Sequence, residues 1–231
     1  MAGIATGEMA GNTSESLYSV AVLDLRWLSA EVFEIRFERP DGFAYQPGQK
    51  ISFVEGPLRR DYTLLGPAHV DELALCVRHV PNGRFSPRLA RANRGDRFQI
   101  TAPFGYFTYK ASSRSAVFVA TGTGIAPFVA YAHAGTRGFA LLHGGRTVEA
   151  LYYRDILADA ADRYMPCISG EPPREPLPAV FAGRVDQYLS TVFPEGVYDF
   201  YLCGRAGMIR DVIRVIDLRF KASRVFMEAF D

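Results

Sequence analysis

The stretch SAVFVATGTGIAPFVAYAHAG, residues 115–135, places an unbroken apolar run before a glycine-rich turn and a second apolar run after it. The first run is short and rich in valine, which reads as a buried strand. Gly122 and Gly124 let the backbone turn sharply and approach a ligand closely. Pro127 suits the first turn of a helix, where its missing N–H costs little. Free N–H groups and the dipole at such a helix start attract phosphate. The pattern is not the complete G-x-G-x-x-G fingerprint, because Pro127 takes the place of the third glycine. Taken alone, the stretch reads equally as a tight strand-to-helix turn or as a nucleotide-binding loop.

The chain that follows repeats the alternation. GFALLHGG (138–145) is a buried-strand candidate, and VEALYYRDILADAADR (148–163) has helical spacing. YMPCISG (164–170) is another short strand, and the proline-rich GEPPREPLP (170–178) is a loop. VYDFYLCG (197–204) leads into RAGMIRDVIRVIDLRF (205–220), whose apolar residues at 208, 209, 212, 213, 215, 216 and 220 mark an amphipathic helix. RVFMEAF (224–230) is a final strand. Strands alternating with helices predict a doubly wound parallel sheet, with ligands at the carboxyl ends of its strands. Cys203 falls at one such end. Its small polarisable side chain can pack against a flat nicotinamide ring, although a lone cysteine on a strand more often fills a core.

Upstream of residue 112 the pattern differs. LYSVAVLDLR, EVFEIRFERP, FAYQPGQKISFVEG, RRDYTLLG, ELALCVRHV and DRFQITAP are β-rich segments separated by Gly, Pro and Asn signals. They predict a small antiparallel barrel or sandwich. SPRLARAN (86–93) makes one short helix between strands, and PFGYF (103–107) closes this half with an aromatic turn. KASSRS (110–115) is the expected linker. The predicted organisation is therefore a disordered tail over 1–16, an antiparallel β-barrel domain over 17–111 and an α/β domain over 112–231. The cleft between two such domains is a common place for a site.

Composition narrows the function. The formal net charge of +1 gives nucleic-acid binding little support. Residues 78–97 nevertheless hold six arginines (Arg78, Arg84, Arg88, Arg91, Arg94, Arg97) against one acid, Asp96. No apolar run is long enough to span a bilayer, and residues 1–16 lack the pattern of a signal peptide. Cys76, Cys167 and Cys203 lie far apart, so neither an iron–sulfur cluster nor a zinc site is expected. Their odd number points to a reducing compartment, read as the cytoplasm.

Two stretches of the first half carry chemistry. In RRDYTLL (59–65), Arg60, Tyr62 and Leu64 point one way on an extended strand, Asp61 and Thr63 the other. Arg60 can pair with a phosphate, Tyr62 offers a face for stacking a ring, and Thr63 can hydrogen-bond at that ring's edge. An edge strand with solvated charges is the competing reading. In LCVRHVPNGRFSPRL (75–89), Gly83 permits close approach, Ser86 offers a hydroxyl, and a short helix starting near Ser86 or Pro87 makes a second anion site. A hairpin loop with a serine N-cap is the alternative there.

In order along the chain, these stretches resemble the ferredoxin–NADP reductase-like flavoprotein superfamily. Its flavin motif R-x-Y-S/T is matched by Arg60-Asp61-Tyr62-Thr63, and its flavin-phosphate motif G-x-x-S/T by Gly83-Arg84-Phe85-Ser86. GDRFQITAPFGYF is similar to the stretch that closes the family's barrel. The nucleotide loop G-T-G-I/T-A-P is matched from Gly122 to Pro127, and C-G-x-x-x-M by Cys203, Gly204 and Met208. Glu228-Ala229-Phe230 matches the family's E-x-aromatic ending.

The resemblance implies a flavin-binding barrel followed by a nicotinamide-nucleotide domain. It implies that Arg60 contacts the flavin phosphates, Tyr62 stacks on the isoalloxazine and Thr63 lies near flavin N5. The backbone at Val77 and Arg78, with Gly83, Phe85 and Ser86, would hold the ribityl–pyrophosphate part. Gly122, Thr123, Gly124 and Pro127 would bind the nucleotide's pyrophosphate, Arg146 would sit near its adenosine ribose, and Gly204 and Met208 would complete the C-G-x-x-x-M element. Cys203 would pack beside nicotinamide C4, Phe230 would cover the flavin's other face, and Glu228 would supply polar contacts or a proton. FAD is expected over FMN, because the Gly83–Ser86 loop suits a pyrophosphate.

One departure bears on the nucleotide. NADP-specific members carry Ser-Arg after the third strand of this domain, and here the corresponding place is Ser169-Gly170. The missing cation leans the reading to NADH and leaves NADPH open, with Arg146 or Arg174 as substitutes. The expected activity is hydride transfer from NAD(P)H to flavin N5, then single-electron delivery to a separate acceptor, such as a small acidic ferredoxin or flavodoxin attracted by the Arg78–Arg97 cluster. A reductase component of a multicomponent oxygenase, an electron-relay subunit of a larger complex and a nucleotide-binding regulatory module are the rival readings.

Overall fold

The structure is a computed structural model that describes residues 16–170 and 180–230. Its first half is a six-stranded antiparallel sheet built from β1 (Leu17–Trp27), β2 (Val32–Glu38), β3 (Lys50–Glu55), β4 (Leu58–Thr63), β5 (Glu72–Arg78) and β6 (Arg97–Thr101), with α1 (Ser86–Leu89) between the last two. The strand order is β4-β3-β6-β1-β2-β5. Alternation gives it one apolar face: Phe33, Ile35, Phe37, Phe53, Leu75 and Ile100 all turn inward into one core, at 1 % exposure or less. The two edge strands meet at one end only, through the Leu64–Leu75 bridge and a 2.9 Å hydrogen bond from the Leu65 N–H to the Ala74 carbonyl. Beyond that bridge no ladder joins β4 to β5 among the described residues, so the barrel's hydrogen bonding is left open there, a slot in the ladder between the two strands.

The second half is the predicted parallel sheet. It contains β7 (Ser115–Thr121), α2 (Ala126–His133), β8 (Phe139–Gly145), α3 (Arg154–Ala160), β9 (Ala161–Ile168), β10 (Phe181–Ala182), α4 (Val185–Thr191), β11 (Tyr198–Arg205), α5 (Ala206–Arg219) and β12 (Arg224–Phe230). The order is β10-β9-β8-β7-β11-β12, so the winding direction reverses between β7 and β11. A crevice is expected at that switch point, outside the strands' carboxyl ends. One face of the sheet packs Phe118, Tyr201 and Cys203 against Phe128 and Tyr131 of α2, and Val32, Leu65, Cys76 and Phe107 of the barrel join the same cluster. The other face packs Phe200 and Leu202 against Leu189 of α4 and Met208, Val212 and Ile216 of α5.

Two expectations need correction. Helical spacing over 148–163 does not give one helix: a 3-10 turn spans Val148–Ala150, Tyr153 takes φ 57°, and α3 ends at Ala160. Ala161 instead pairs with Phe139, so strand pairing to β8 overrides the local period and β9 begins three residues before Tyr164. The short β10 and α4 add a strand and a helix that the hydrophobic pattern does not announce. The loop assigned to 170–178 lies outside the described residues from 171 on.

The segment between the halves is anchored by Asp199, which is 2 % exposed. Its carboxylate accepts two hydrogen bonds from Arg224, at 2.6 and 2.7 Å, and one from the Ser112 hydroxyl at 2.6 Å. The Arg224 bonds, aided by Ser112, hold its pKa below the usual aspartate value against the opposing effect of burial. A carboxylate with a depressed folded pKa stabilises the fold above its unfolded pKa, near about 3.9, and loses that contribution as pH falls through the folded value. Asp199→Asn is therefore expected to lower Tm at pH 7. It should also flatten the fall in Tm on going below about pH 4, where the wild type alone loses this contribution. A thermal-melt series across that range checks both; parallel curves for the two proteins would refute the assignment.

Candidate active site

The barrel's half of the site is its open edge. Across the β3–β4 ladder Tyr62 faces Ile51, Asp61 faces Ser52 and Thr63 faces Lys50, so Asp61 and Thr63 share a face with Lys50 while Arg60 and Tyr62 take the other. Tyr62 is half-buried, its ring edge-on to Phe53 at 5.6 Å between centroids. Burial pushes its phenol up to about 12, against a smaller opposing effect of Arg60, so it is a neutral ring at pH 7. Arg60 is exposed and donates to the Arg59 carbonyl at 2.7 Å. Thr63 is 4 % exposed, and its buried Oγ1 has no hydrogen-bond partner among the described residues.

Across the slot, β5 brings Val77 and Arg78. Val77 lies in the barrel core, so only its backbone can reach a ligand, and Arg78 faces Glu31 at 3.8 Å. Gly83 is tightly surrounded, because a Cβ there would sit 3.0 Å from the Val80 carbonyl and 3.3 Å from Ser86 Oγ. Ser86 does not cap α1. It is the helix's first residue, and its hydroxyl accepts the Val80 N–H at 3.0 Å, tying the 80–86 loop into a tight turn. The Phe85 side chain packs on Phe53 at 5.2 Å and anchors that turn in the core.

The second half of the site forms at the switch point. A 3-10 turn over Gly122–Ile125 runs into α2, with Gly122 at φ 57° and Pro127 in the first turn of the helix. Gly124 also has a packing task. A Cβ there would lie 2.6 Å from Gly204 Cα, so its smallness lets the turn pack on β11. Gly204, at φ 143°, likewise lets Thr121 Oγ1 and Met208 Cε approach. Pro127 and Met208 are buried and support the two turns by packing, whereas Thr123 is partly exposed on the first of them. Arg146 is exposed just past β8, and its carbonyl accepts the Gly170 N–H at 3.0 Å, which places Ser169-Gly170 beside it. Arg174 lies outside the described residues.

The halves meet at the last strand. Cys203 is paired in register with Ala120 on one side and Glu228 on the other, and it is fully buried. Burial, with the Glu228 charge adding to it, pushes the thiol well above its ordinary value, so Cys203 is a neutral, soft surface and not a thiolate. Phe226 and Phe230 flank Glu228 on β12, and both pack against the interdomain core. Glu228 Oε1 lies 3.0 Å from Lys50 Nζ of the barrel, while its buried Oε2 has no partner among the described residues.

Buried polar atoms nearly always find partners. Of the four that lack one among the described residues, three are Thr63 Oγ1, Thr121 Oγ1 and Glu228 Oε2. They are linked residue to residue: Thr63 opposes Lys50, Lys50 reaches Glu228, Glu228 opposes Cys203, and a Cβ on the adjoining Gly204 would lie 2.5 Å from Thr121 Oγ1. This line of neighbours runs from the flavin-motif strand of the barrel to the glycine turn of the sheet. The slot, the neutral tyrosine face, the glycine turn and these orphan atoms fit a flavin on the barrel and a nicotinamide nucleotide on the sheet. Motif reading missed Thr121, Lys50 and Asp61. Thr121 had a signal, since it immediately precedes Gly122; Lys50 and Asp61 become visible only through the β3–β4 register.

Comparison with known proteins gives the same division. Residues 23–109 match the oxidoreductase FAD-binding domain family, and residues 118–214 match the oxidoreductase NAD-binding domain family. Ferredoxin–NADP reductase B of Sorangium cellulosum is 33 % identical over 162 residues, covering 63 % of this chain and 66 % of that protein. Reductase component 2 of terephthalate 1,2-dioxygenase from a Comamonas species is 32 % identical over 173 residues, covering 66 % of this chain and 49 % of that protein. Among solved structures, a ferredoxin–NADP+ reductase from Neisseria gonorrhoeae, with FAD and NADP bound, superposes with a TM-score of 0.78 at 20 % identity, over 92 % of this chain and 98 % of that one. The aligned region thus spans between 49 % and 66 % of the length of the curated relatives named here.

Proposed function

The chain belongs to the ferredoxin–NADP reductase-like flavoprotein superfamily, and from that premise we propose that it is an NAD(P)H-dependent flavoprotein reductase that holds FAD and passes electrons to a separate protein acceptor. The observation that carries this reading is a set of buried, unpartnered polar atoms on both domains, Thr63 Oγ1 on the barrel and Thr121 Oγ1 and Glu228 Oε2 on the sheet, with the Lys50–Glu228 pair joining the two. We take 17–111 as the flavin-binding unit and 112–231 as the nucleotide-binding unit.

When bound, FAD supplies the redox chemistry, taking two electrons from the nicotinamide and releasing them singly. The chain's own residues bind, orient and shield. Arg60 presents an exposed guanidinium for the phosphates, and the edge backbone of Val77 and Arg78, with the Gly83–Ser86 turn, holds the adjoining chain. Tyr62 supplies a neutral face, and the Thr63 hydroxyl is the hydrogen-bond partner at the ring's reactive edge. Gly122, Thr123 and the N–H groups that open α2 receive the nucleotide's pyrophosphate. Cys203 is buried, so it offers the nicotinamide a small uncharged surface only when that ring displaces Phe230. Glu228 holds an acceptor oxygen beside that surface, and Phe230 covers the flavin's other face until the nicotinamide displaces it.

Ser169-Gly170 sits beside Arg146 and carries no cation, which favours NADH; Arg146 is the described arginine proposed for the adenosine ribose. For the acceptor, a small acidic electron-transfer protein suits the Arg78–Arg97 surface. Arg78 and Arg88 are already paired with Glu31 and Glu55, so only part of that charge is available to a partner. The reductase-component relative favours an oxygenase as the final electron user, reached through the same chemistry. No helix among the described residues is long and apolar enough to cross a membrane. The three cysteines are free and buried, which suits the reducing cytoplasm.

The decisive experiment is an anaerobic titration of the purified protein with NADH and then NADPH, followed by flavin absorbance. Stoichiometric bleaching, reached at lower NADH than NADPH, is expected, and mass spectrometry of the released flavin should give FAD. A colourless protein that still binds nucleotide would overturn the activity, and recovery of FMN alone would remove the FAD assignment. In the same assay Cys203→Ala should keep its flavin and bleach about tenfold more slowly, as expected for the loss of roughly 1.4 kcal/mol of positioning. An unchanged rate would return Cys203 to core packing.

A further inference from the structure

Lys50 lies in neither motif that carries the flavin reading. It opens β3, opposite Thr63. Its backbone is fixed by two 2.9 Å hydrogen bonds with Phe104, its N–H donating to the Phe104 carbonyl and its carbonyl accepting the Phe104 N–H. Its stem runs past Gly105, where a Cβ would be 3.7 Å from Lys50 Cγ, and its ammonium lies 5.4 Å from the centre of the Phe104 ring. A flexible lysine is thereby directed out of the barrel toward the other domain. Its Nζ is 3.0 Å from Glu228 Oε1 and 3.6 Å from Asp61 Oδ2. Asp61 is itself held by the Ser52 hydroxyl. The bridge therefore runs from the flavin-motif strand, through Lys50, to the last strand of the other domain.

Its position on that last strand matters. β12 is an edge strand, paired only to β11, and nothing on its outer side is in ladder contact among the described residues. Val225, Met227 and Ala229 are exposed, while Phe226, Glu228 and Phe230 turn toward the interdomain core. Glu228 is the acidic residue on that inward row. Burial disfavours the Lys50 ammonium, yet the Glu228 hydrogen bond and the charges of Glu228 and Asp61 outweigh this and hold its pKa above the ordinary lysine value, so the tether is charged at neutral pH. Glu228 spends Oε1 on Lys50 and is left with Oε2 buried and unpartnered.

We propose that Lys50 is a positioning residue, which ties the C-terminal strand to the barrel through Glu228 and thereby sets where Glu228 Oε2 and Phe230 stand at the cofactor junction. This rests on the reading of that junction as the nicotinamide side of a flavin site. A lysine with the Asp61 carboxylate behind it can hold Glu228 without neutralising the whole cluster. It couples the R-x-Y-T strand directly to the strand that carries Phe230. Loss of the ammonium frees the end of an edge strand, and it leaves Glu228 buried beside Cys203 with no counter-charge.

The test uses the purified full chain and Lys50→Met, Lys50→Arg, Glu228→Gln and the Lys50→Met/Glu228→Gln double variant. Hydrogen–deuterium exchange is followed by mass spectrometry, and stopped-flow reduction by NADH separates nucleotide affinity from the limiting rate. Lys50→Met should speed exchange over 225–230 on the order of tenfold, while core β7 and β11 stay protected. Glu228→Gln should do much the same, and the double variant should add little to either single change, as expected of two residues in one interaction. The limiting reduction rate of Lys50→Met should fall about tenfold with nucleotide affinity within about threefold, and Lys50→Arg should recover most of both losses. Unchanged exchange over 225–230, faster exchange throughout the chain, additive effects in the double variant, or an arginine variant as impaired as the methionine one would each overturn the proposal. Faster exchange with an unaltered limiting rate would overturn the positioning role and leave a structural pair. Failure of the proposed function shows separately, as a wild-type protein that NADH does not bleach, and the exchange comparison then decides the tether by itself.

Discussion

Replacing Tyr62 by alanine is expected to weaken FAD retention about 30-fold, because stacking of a flat ring on an aromatic side chain contributes about 2 kcal/mol. The ring is suited to this by where it sits. It is half-buried on an edge strand, packed edge-on to Phe53 at 5.6 Å, and kept neutral by burial. Phe53 belongs to the barrel core and fixes the tilt of the tyrosine, so the face on offer is preorganised and little ordering remains to be done on binding. Tyr62→Phe keeps the ring and should retain flavin nearly as well as the wild type. Flavin retention is read by absorbance after dialysis, or by recovery of flavin fluorescence on dilution. If Tyr62→Ala holds flavin as tightly as the wild type, the stacking face lies elsewhere. If Tyr62→Phe fails as badly as alanine, the hydroxyl and not the ring is what the cofactor uses.

The division into an antiparallel and a parallel sheet was legible because hydrophobic period and turn residues changed together near residue 112. The strands of the first half are short, punctuated and alternating, and all six form. What could not be read came from long-range pairing. Residues 161–163 continue a helical period, yet they become strand because Phe139 offers a partner for Ala161. The β10–α4 segment is short and flanked by proline and glycine, and its helix is held mainly by burial of Val185, Tyr188 and Leu189 against the sheet, which no local pattern announces. At the site, residues that belong to a turn or a strand end were visible as motifs. Asp61 lacked a local explanation, and its partners prove to be Ser52 and Lys50 on the neighbouring strand. The charge within RRDYTLL is thus divided. Arg60 stays exposed for a ligand, and Asp61 is spent on an interdomain bridge.

Gly124 separates two uses of glycine that look alike in the ATGTGIAP stretch. Gly122 adopts φ 57°, and a Cβ there would meet nothing within 4 Å. Gly122→Ala should therefore cost only the strain of a left-handed residue, about 1–2 kcal/mol. Gly124 carries no such conformational demand, but a Cβ on it would fall 2.6 Å from Gly204 Cα and against the Cys203 backbone. That backbone cannot yield easily, because Cys203 is hydrogen-bonded into a parallel ladder with β7 on one side and β12 on the other. Gly124→Ala must therefore lift the whole turn off β11, and overpacking of a close-packed contact of this kind costs about 3 kcal/mol. For a chain of this size that corresponds to a fall in Tm of roughly 6–12 °C. The displaced turn also moves the nucleotide's N–H donors away from the Cys203–Gly204 end of β11, so NADH affinity should fall about tenfold or more while flavin stays bound. The order of the two effects is the test. Thermal melts should rank Gly124→Ala well below Gly122→Ala, and a reversed ranking would mean that the turn is not seated on β11.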